Sequence, residues 1–121
     1  MASRIYHIAV DAADPPSLGR FWAEVLDHRV LFEDEEETVV GADEHAWPGL
    51  VFLPVPEAKA GKNRLHIDLA PDDFEAEVTR VLSLGARRID VGQGPDVSWA
   101  VLADPEGNEF CVLRPKKSLV D

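Results

Sequence analysis

Two histidines occupy matching places on two predicted strands, and their side chains are the first candidates for chemistry. His7 and His66 are each followed by isoleucine. Residues 63–70 alternate strictly, with leucine and isoleucine on one side of an extended chain and Arg64, His66 and Asp68 on the other. A neutral imidazole can hold a metal ion or accept a proton, so this polar side indicates either a binding or proton-transfer site or a pair of structural histidines.

Other residues with useful chemistry each allow a structural interpretation as well. Arg64 and Asp68 either pair with each other on the strand face or orient a polar ligand. Cys111 is either a small buried hydrophobe or a reactive thiol. Trp47, in a predicted loop, and Trp99, on a predicted strand, are candidates for the wall of a pocket that takes flat or apolar small molecules.

The elements that must position these residues follow from apolar spacing and from helix caps. In the first half, Asp14 and Pro15 are a good N-cap and first helical residue. The predicted elements there are a strand at 4–10, a helix at 15–27, and strands at 28–32, 37–42 and 50–55.

The second half repeats this plan after a polar connection at 57–62. Residues 71–73 open a helix, and Gly85 stands where a glycine usually ends one. The predicted strands are 63–70, 86–91, 98–103 and 108–113, with turns at 92–96 and 104–107. The two histidine–isoleucine pairs lie 59 positions apart, which indicates a duplicated unit.

These elements predict an α+β fold of two βαβββ modules. Module one spans residues 4–56 and module two spans 63–114, within a single domain of residues 1–121. Open sheet edges in modules of this size are hazards that pairing covers, so we expect a homodimer.

Composition restricts the partners and the location. The formal charge of −11 repels nucleic-acid phosphates and anionic membrane surfaces, so neither is expected as a partner. No apolar run approaches the ~20 residues that cross a bilayer, and residues 1–4 lead into a strand without an apolar leader. With one cysteine, nothing demands an oxidising compartment, and a cytoplasmic location is expected.

The duplicated plan, with a histidine on each leading strand and the sequence DPEGN at 104–108, resembles the vicinal oxygen chelate superfamily. This superfamily includes glyoxalases, bleomycin-resistance proteins and extradiol dioxygenases. The resemblance extends over 5–113, and the stretches at 21–26 and 107–113 are similar to its glyoxalase-like branch. It implies curved mixed sheets that form a half-open cup, with the helices on the outer face.

The resemblance also implies a set of metal ligands from which this chain departs. The metal-dependent members place ligands on the first and last strands of each module, here at His7, His66, Cys111 and a position near Phe52. Neither of the last two supplies the expected carboxylate. A shifted site from His7, His66 and Glu109, with Cys111 as a further donor, would suit zinc.

Two functions are therefore weighed. The favoured one is a metal-free protein that captures a small-molecule ligand in the concave sheet. The alternative is a metal-assisted enzyme of lyase, isomerase or dioxygenase type, with His7, His66, Asp68 and Glu109 as catalytic candidates. The predicted ligand pocket comprises His7, Trp47, Phe52, Arg64, His66, Asp68, Trp99, Glu109 and Cys111.

Overall fold

A computed structural model describes residues 2–89 and 99–121 of the chain. It divides into two compact units, Met1–Ala58 and Lys59–Asp121. Each unit contains one helix and one four-stranded mixed sheet. The α+β fold of two βαβββ modules is therefore confirmed. No helix within the described residues is both long and apolar enough to cross a membrane.

The first unit is built in the predicted order. Its elements are β1 (His7–Ala12), α1 (Pro15–Leu26), β2 (Arg29–Glu33), β3 (Thr38–Gly41) and β4 (Gly49–Pro54). The strand order in the sheet is β1-β4-β3-β2, with β1 parallel to β4 and the other pairs antiparallel. β1 is thus an edge strand.

The second unit repeats this topology. Its elements are β5 (Ile67–Leu69), α2 (Phe74–Ser83), β6 (Arg87–Arg88), β7 (Trp99–Ala103) and β8 (Glu109–Leu113). The strand order is β5-β8-β7-β6, and the parallel pair is again the one at the leading strand. The predicted turn at 92–96 and the end of the strand at 86–91 lie outside the described residues.

Both helices begin where their N-cap residues indicate. The Asp14 side chain accepts a hydrogen bond from the backbone N–H of Ser17 at 3.2 Å, and Asp73 does the same for Ala76 at 3.0 Å. Each bond satisfies a donor that has no partner within the helix. After α2, Gly85 has a φ of 123°, a left-handed value that glycine adopts without steric cost.

The leading strands begin later than predicted, because the ladder of hydrogen bonds to the partner strand cannot extend further towards their N-terminal ends. Pro48 has no N–H to extend β4 backwards, and the last backbone bond runs from Gly49 N–H to the Tyr6 carbonyl at 3.0 Å. At β5, the Asn63 side-chain amide donates to the Glu109 carbonyl at 2.9 Å and occupies that acceptor. His7 is therefore the first residue of its strand, and His66 lies one residue before its strand.

The core of the first unit is formed where α1 lies directly on β3 and β4. Thr38 and Phe52 are both fully buried beneath Gly19 of the helix. A Cβ atom at Gly19 would lie 2.7 Å from Thr38 Cγ2 and 3.5 Å from Phe52 Cδ1. The absence of a side chain at this one position therefore sets how closely the helix approaches the sheet.

The turn before β8 is held by one buried carboxylate. Asp104 Oδ1 accepts from the backbone N–H groups of Glu106 and Asn108, both at 2.9 Å, and Oδ2 accepts from Asn108 Nδ2 at 2.9 Å. Gly107 takes a positive φ of 91° to close the turn. This network confirms the turn predicted at 104–107 and fixes where β8 begins.

We expect Gly19→Ala to destabilise the first unit. Alanine favours a helix interior by about 1 kcal/mol over glycine. The clash with the stiff Thr38 side chain should outweigh this gain, at a net cost of about 1–3 kcal/mol. Urea denaturation measures the change.

Thr38→Ser supplies the matched background for this experiment, because it removes the clashing methyl group and keeps the hydroxyl. Gly19→Ala should cost clearly less in the Thr38→Ser protein than in the parent. If Gly19→Ala stabilises the parent protein, the close approach of α1 is refuted.

Candidate functional site

Each sheet has one face packed on its helix and one face turned away from it, which we call the open face. Strand alternation assigns the residues. In the first unit, Thr38 and Phe52 are neighbours in the register and face α1, so Val39 and its partner Val51 lie on the open face. The register extends that row to Ala9 on β1 and Phe32 on β2.

The equivalent row of the second unit carries polar groups. Asp68 lies opposite Cys111, and Cys111 lies opposite Val101. The row ends at Ile89, whose N–H bonds the Val101 carbonyl at 3.0 Å. Asp68 is exposed, whereas the other three are half-buried. A carboxylate at the sheet edge therefore borders an apolar strip.

Trp99 lies on the same open face, one row further along the sheet. It pairs with Leu113, and the residue after it, Ala100, is fully buried on the helix side. Trp99 remains 39% exposed. A half-exposed indole beside apolar side chains offers a stacking surface for a flat ligand.

Cys111 is a neutral hydrogen-bond donor in this setting. Burial raises the pKa of its thiol, and the charge of Asp68 and a hydrogen bond to Asp68 raise it further. The thiol therefore stays protonated at neutral pH, which makes it a weak nucleophile.

Glu109, the carboxylate predicted for a shifted metal site, is engaged within its own unit. Its Oε1 lies 3.0 Å from Lys59 Nζ and accepts from the Asn63 N–H at 3.3 Å. The Lys59 ammonium also donates to the Gly61 carbonyl. Burial raises the pKa of Glu109, but hydrogen bonds from the backbone and from Lys59 outweigh it, and the pKa is lowered overall.

The two histidines are both exposed and have different neighbours. His66 Nε2 lies 3.2 Å from the Asn63 carbonyl oxygen. His7 is in ring contact with Tyr6, with 4.5 Å between centroids, and Tyr6 contacts Trp47 edge-on at 4.9 Å. The Arg4 guanidinium lies over the Trp47 ring at 4.3 Å. His7 and Trp47 thus belong to one exposed aromatic cluster.

Two predicted site residues have a different setting from the one the sequence indicated. Phe52 is fully buried against α1, so it belongs to the core and not to the open face. The residue of the first unit that is equivalent to Cys111 is Val51, which precedes Phe52 by one. Val51 pairs with Ala9 on the leading strand, as Cys111 pairs with Asp68. Arg64 is exposed in a bend before β5, and within the described residues it forms no ion pair with Asp68.

Sequence reasoning missed the cluster around His7 and the apolar side chains that continue the open face beyond Cys111. Tyr6 and Arg4 could have been found, since they precede His7 on a stretch predicted to be extended. Val101 and Leu113 depend on the pairing of β7 with β8, which no local pattern encodes.

The donors available for a metal ion differ from the set that the family resemblance implies. The last-strand positions of the two units are Val51, whose side chain has no donor atom, and Cys111, which offers a thiol in place of a carboxylate. The nearby Glu109 carboxylate is already paired with Lys59. Over the described part of the chain, no group of three or more histidine, cysteine, aspartate or glutamate side chains is placed to hold a metal ion.

The Glu109 pairing leads to a test of stability against pH. The folded-state pKa is lowered, so the stabilisation is present above the ordinary pKa and is lost as pH falls through the folded value. Glu109→Gln should lower the free energy of unfolding by about 1–2 kcal/mol at neutral pH. The difference from the parent should shrink in acid, as urea denaturation over a pH series would show.

Glu57→Gln is the matched control. Glu57 is exposed in the connection that also contains Lys59, and its substitution changes the net charge by the same amount as Glu109→Gln. It should leave stability nearly unchanged. If Glu109→Gln and Glu57→Gln behave alike at neutral pH, the Lys59–Glu109 pair contributes nothing to the fold.

Comparison with known proteins connects this architecture to a family. A family model described as a glyoxalase-like domain matches residues 7–113. A search of the curated proteins gave no match.

Solved structures show the same fold at low sequence identity. A glyoxalase/bleomycin resistance protein/dioxygenase family enzyme from Burkholderia phytofirmans is 16% identical, with a TM-score of 0.73 over 94% of this chain and 100% of that one. A fosfomycin resistance protein from Mesorhizobium loti is 18% identical, with a TM-score of 0.73 over 99% and 97%. An antibiotic-binding protein from a Streptomyces species is 22% identical, with a TM-score of 0.65 over 95% and 98%.

Proposed function

The chain belongs to the glyoxalase-like domain family, and from that premise we propose that it captures a small molecule on an open sheet face without a metal ion. The observation that carries this proposal is the open face of the second unit. There Asp68 and Cys111 stand in register beside an apolar strip, and the half-exposed Trp99 lies one row further along the sheet. A few polar groups beside apolar and aromatic surface are what small-ligand sites generally offer.

The donor chemistry supports capture over metal-assisted turnover. A Lewis-acid site of the type found in this superfamily needs carboxylate oxygens besides its imidazoles. Val51 and Cys111 stand where the resemblance would place the carboxylates, and Glu109 is paired with Lys59. The side chains that remain for a ligand are hydrogen-bonding and stacking groups.

The similar structures allow both kinds of function. One is named as an antibiotic-binding protein and another as a fosfomycin resistance protein, while a third is named as an enzyme. One fold thus carries binding and chemistry, and the residues of the site must decide between them.

The alternative is a metal-assisted enzyme of lyase, isomerase or dioxygenase type. The exposure of both His7 and His66 favours it, because accessible imidazoles are good ligands for divalent metal ions. In that case Asp68 is the remaining candidate for moving protons.

The proposed partners are a small-molecule ligand and a second copy of the chain. β1 is an edge strand. Ile5 and Tyr6, just before it, are 66% and 60% exposed, and Ile8 within it is 41% exposed. Pairing would cover this apolar edge. We propose that the two units are modules of one domain and that the protein is a homodimer.

Sedimentation at micromolar concentration should give the mass of a dimer. A clean monomer would contradict the proposed homodimer.

Elemental analysis separates the two functions. We expect much less than one metal ion per chain in protein purified without chelator and without an affinity-tag metal. Stoichiometric metal would overturn the metal-free proposal.

His7→Ala and His66→Ala serve as diagnostic variants for the alternative. Both side chains are exposed, so their removal should change the free energy of unfolding by less than about 0.5 kcal/mol. Under the alternative, each variant should lose bound metal while remaining folded.

A further inference from the structure

We propose that the open face of the second unit selects flat ligands that carry a positive charge, and that Asp68 is the residue that recognises the charge. This inference rests on the proposed binding function and adds the chemical class of the ligand. It follows from a difference between the two carboxylates on this face.

Glu109 and Asp68 are both carboxylates, but they differ in whether a neighbouring cation balances their charge. The Glu109 carboxylate is balanced by the Lys59 ammonium at 3.0 Å, and both side chains are about four-fifths buried. Asp68 has a thiol as its neighbour, and a protonated thiol gives a hydrogen bond but no charge. Within residues 2–89 and 99–121, no lysine or arginine forms an ion pair with Asp68. Of this pair, only Asp68 presents an uncompensated negative charge.

Cys111 also influences how Asp68 meets a ligand. A carboxylate has two oxygens and about four acceptor sites, so one bond from the thiol leaves most of them free. The pairing of Asp68 with Cys111 in the register places the carboxylate at the border of the apolar strip. An ammonium group placed there would form a charge-assisted hydrogen bond, whereas a ligand carboxylate would meet repulsion.

The apolar strip sets the shape of the remainder of the ligand. Cys111 and Val101 are on the next two strands from Asp68, so Val101 lies about 10 Å across the sheet from it. Leu113 and Trp99 lie one row further along these strands. A ring system on this surface, with its amine directed to the edge strand, would gain burial and stacking on the indole.

The charge of the whole chain acts in the same direction. A net charge of −11 raises the local concentration of cations and lowers that of anions. This general field needs its own control in any experiment, because it would favour cations at any site.

A matched set of probes tests the proposal. Naphthylmethylamine, naphthylmethanol and naphthylacetate share one ring system and differ in charge at neutral pH. Equilibrium dialysis against the full chain measures their dissociation constants. We expect the amine to bind about tenfold more tightly than the alcohol, and the acetate to bind most weakly.

Three variants identify the residues responsible. Asp68→Asn should weaken the amine to the level of the alcohol and leave the alcohol within about twofold of its original affinity. Asp72→Asn, at another exposed position in the same unit, makes the same change in net charge and should alter none of the three. Trp99→Ala should weaken all three probes by a similar factor, because each uses the ring surface.

The outcomes distinguish the selection of charge by Asp68 from the small-molecule binding on which it depends. If all probes bind with equal affinity, or if Asp68→Asn and Asp72→Asn act alike, the selection of charge by Asp68 is overturned while capture on the open face stands. If none of the probes binds to the parent protein, the binding function proposed for this face fails, and the charge selection fails with it.

Discussion

Each unit has one helix to cover a four-stranded sheet, and this constraint decides which face of the sheet is buried and which stays open. A sheet buries the face that its helix contacts, and strand alternation then assigns each residue to the covered or the open side. In the first unit the helix is held against the sheet at Gly19, above Thr38 and Phe52. The closeness of that contact makes the assignment of faces unambiguous, and the open face is what remains for a ligand.

The order of elements could be predicted because it depends on local chemistry. Helix caps such as Asp14 and Asp73 act over three or four residues, and a glycine such as Gly85 ends a helix by its own backbone freedom. The repeat itself was visible because the same local patterns recur in both halves. The site was less accessible, since it depends on which strands pair and in which register.

Phe52 shows why the register was the limiting information. Residues 50–53 are all apolar, so alternation gives no indication of which side faces the core. An error of one residue moves a side chain to the opposite face of the sheet. Pairing of β4 with β1 and β3 resolves the question and places Val51 opposite Ala9 on the open face. Likewise, no spacing rule indicates that Lys59 would reach Glu109 across 50 positions of sequence.

The two equivalent rows, Ala9–Val51 and Asp68–Cys111, also have a consequence for how such a protein changes over generations. Side chains that face the helix and side chains on the open face come from alternate positions of a strand, so a substitution on the open face leaves the packing beneath the helix intact. After a duplication, one copy can acquire polar groups while its twin keeps an apolar row and the shared architecture persists. Ligand preference and foldability are in this way inherited through separate sets of residues on the same strands.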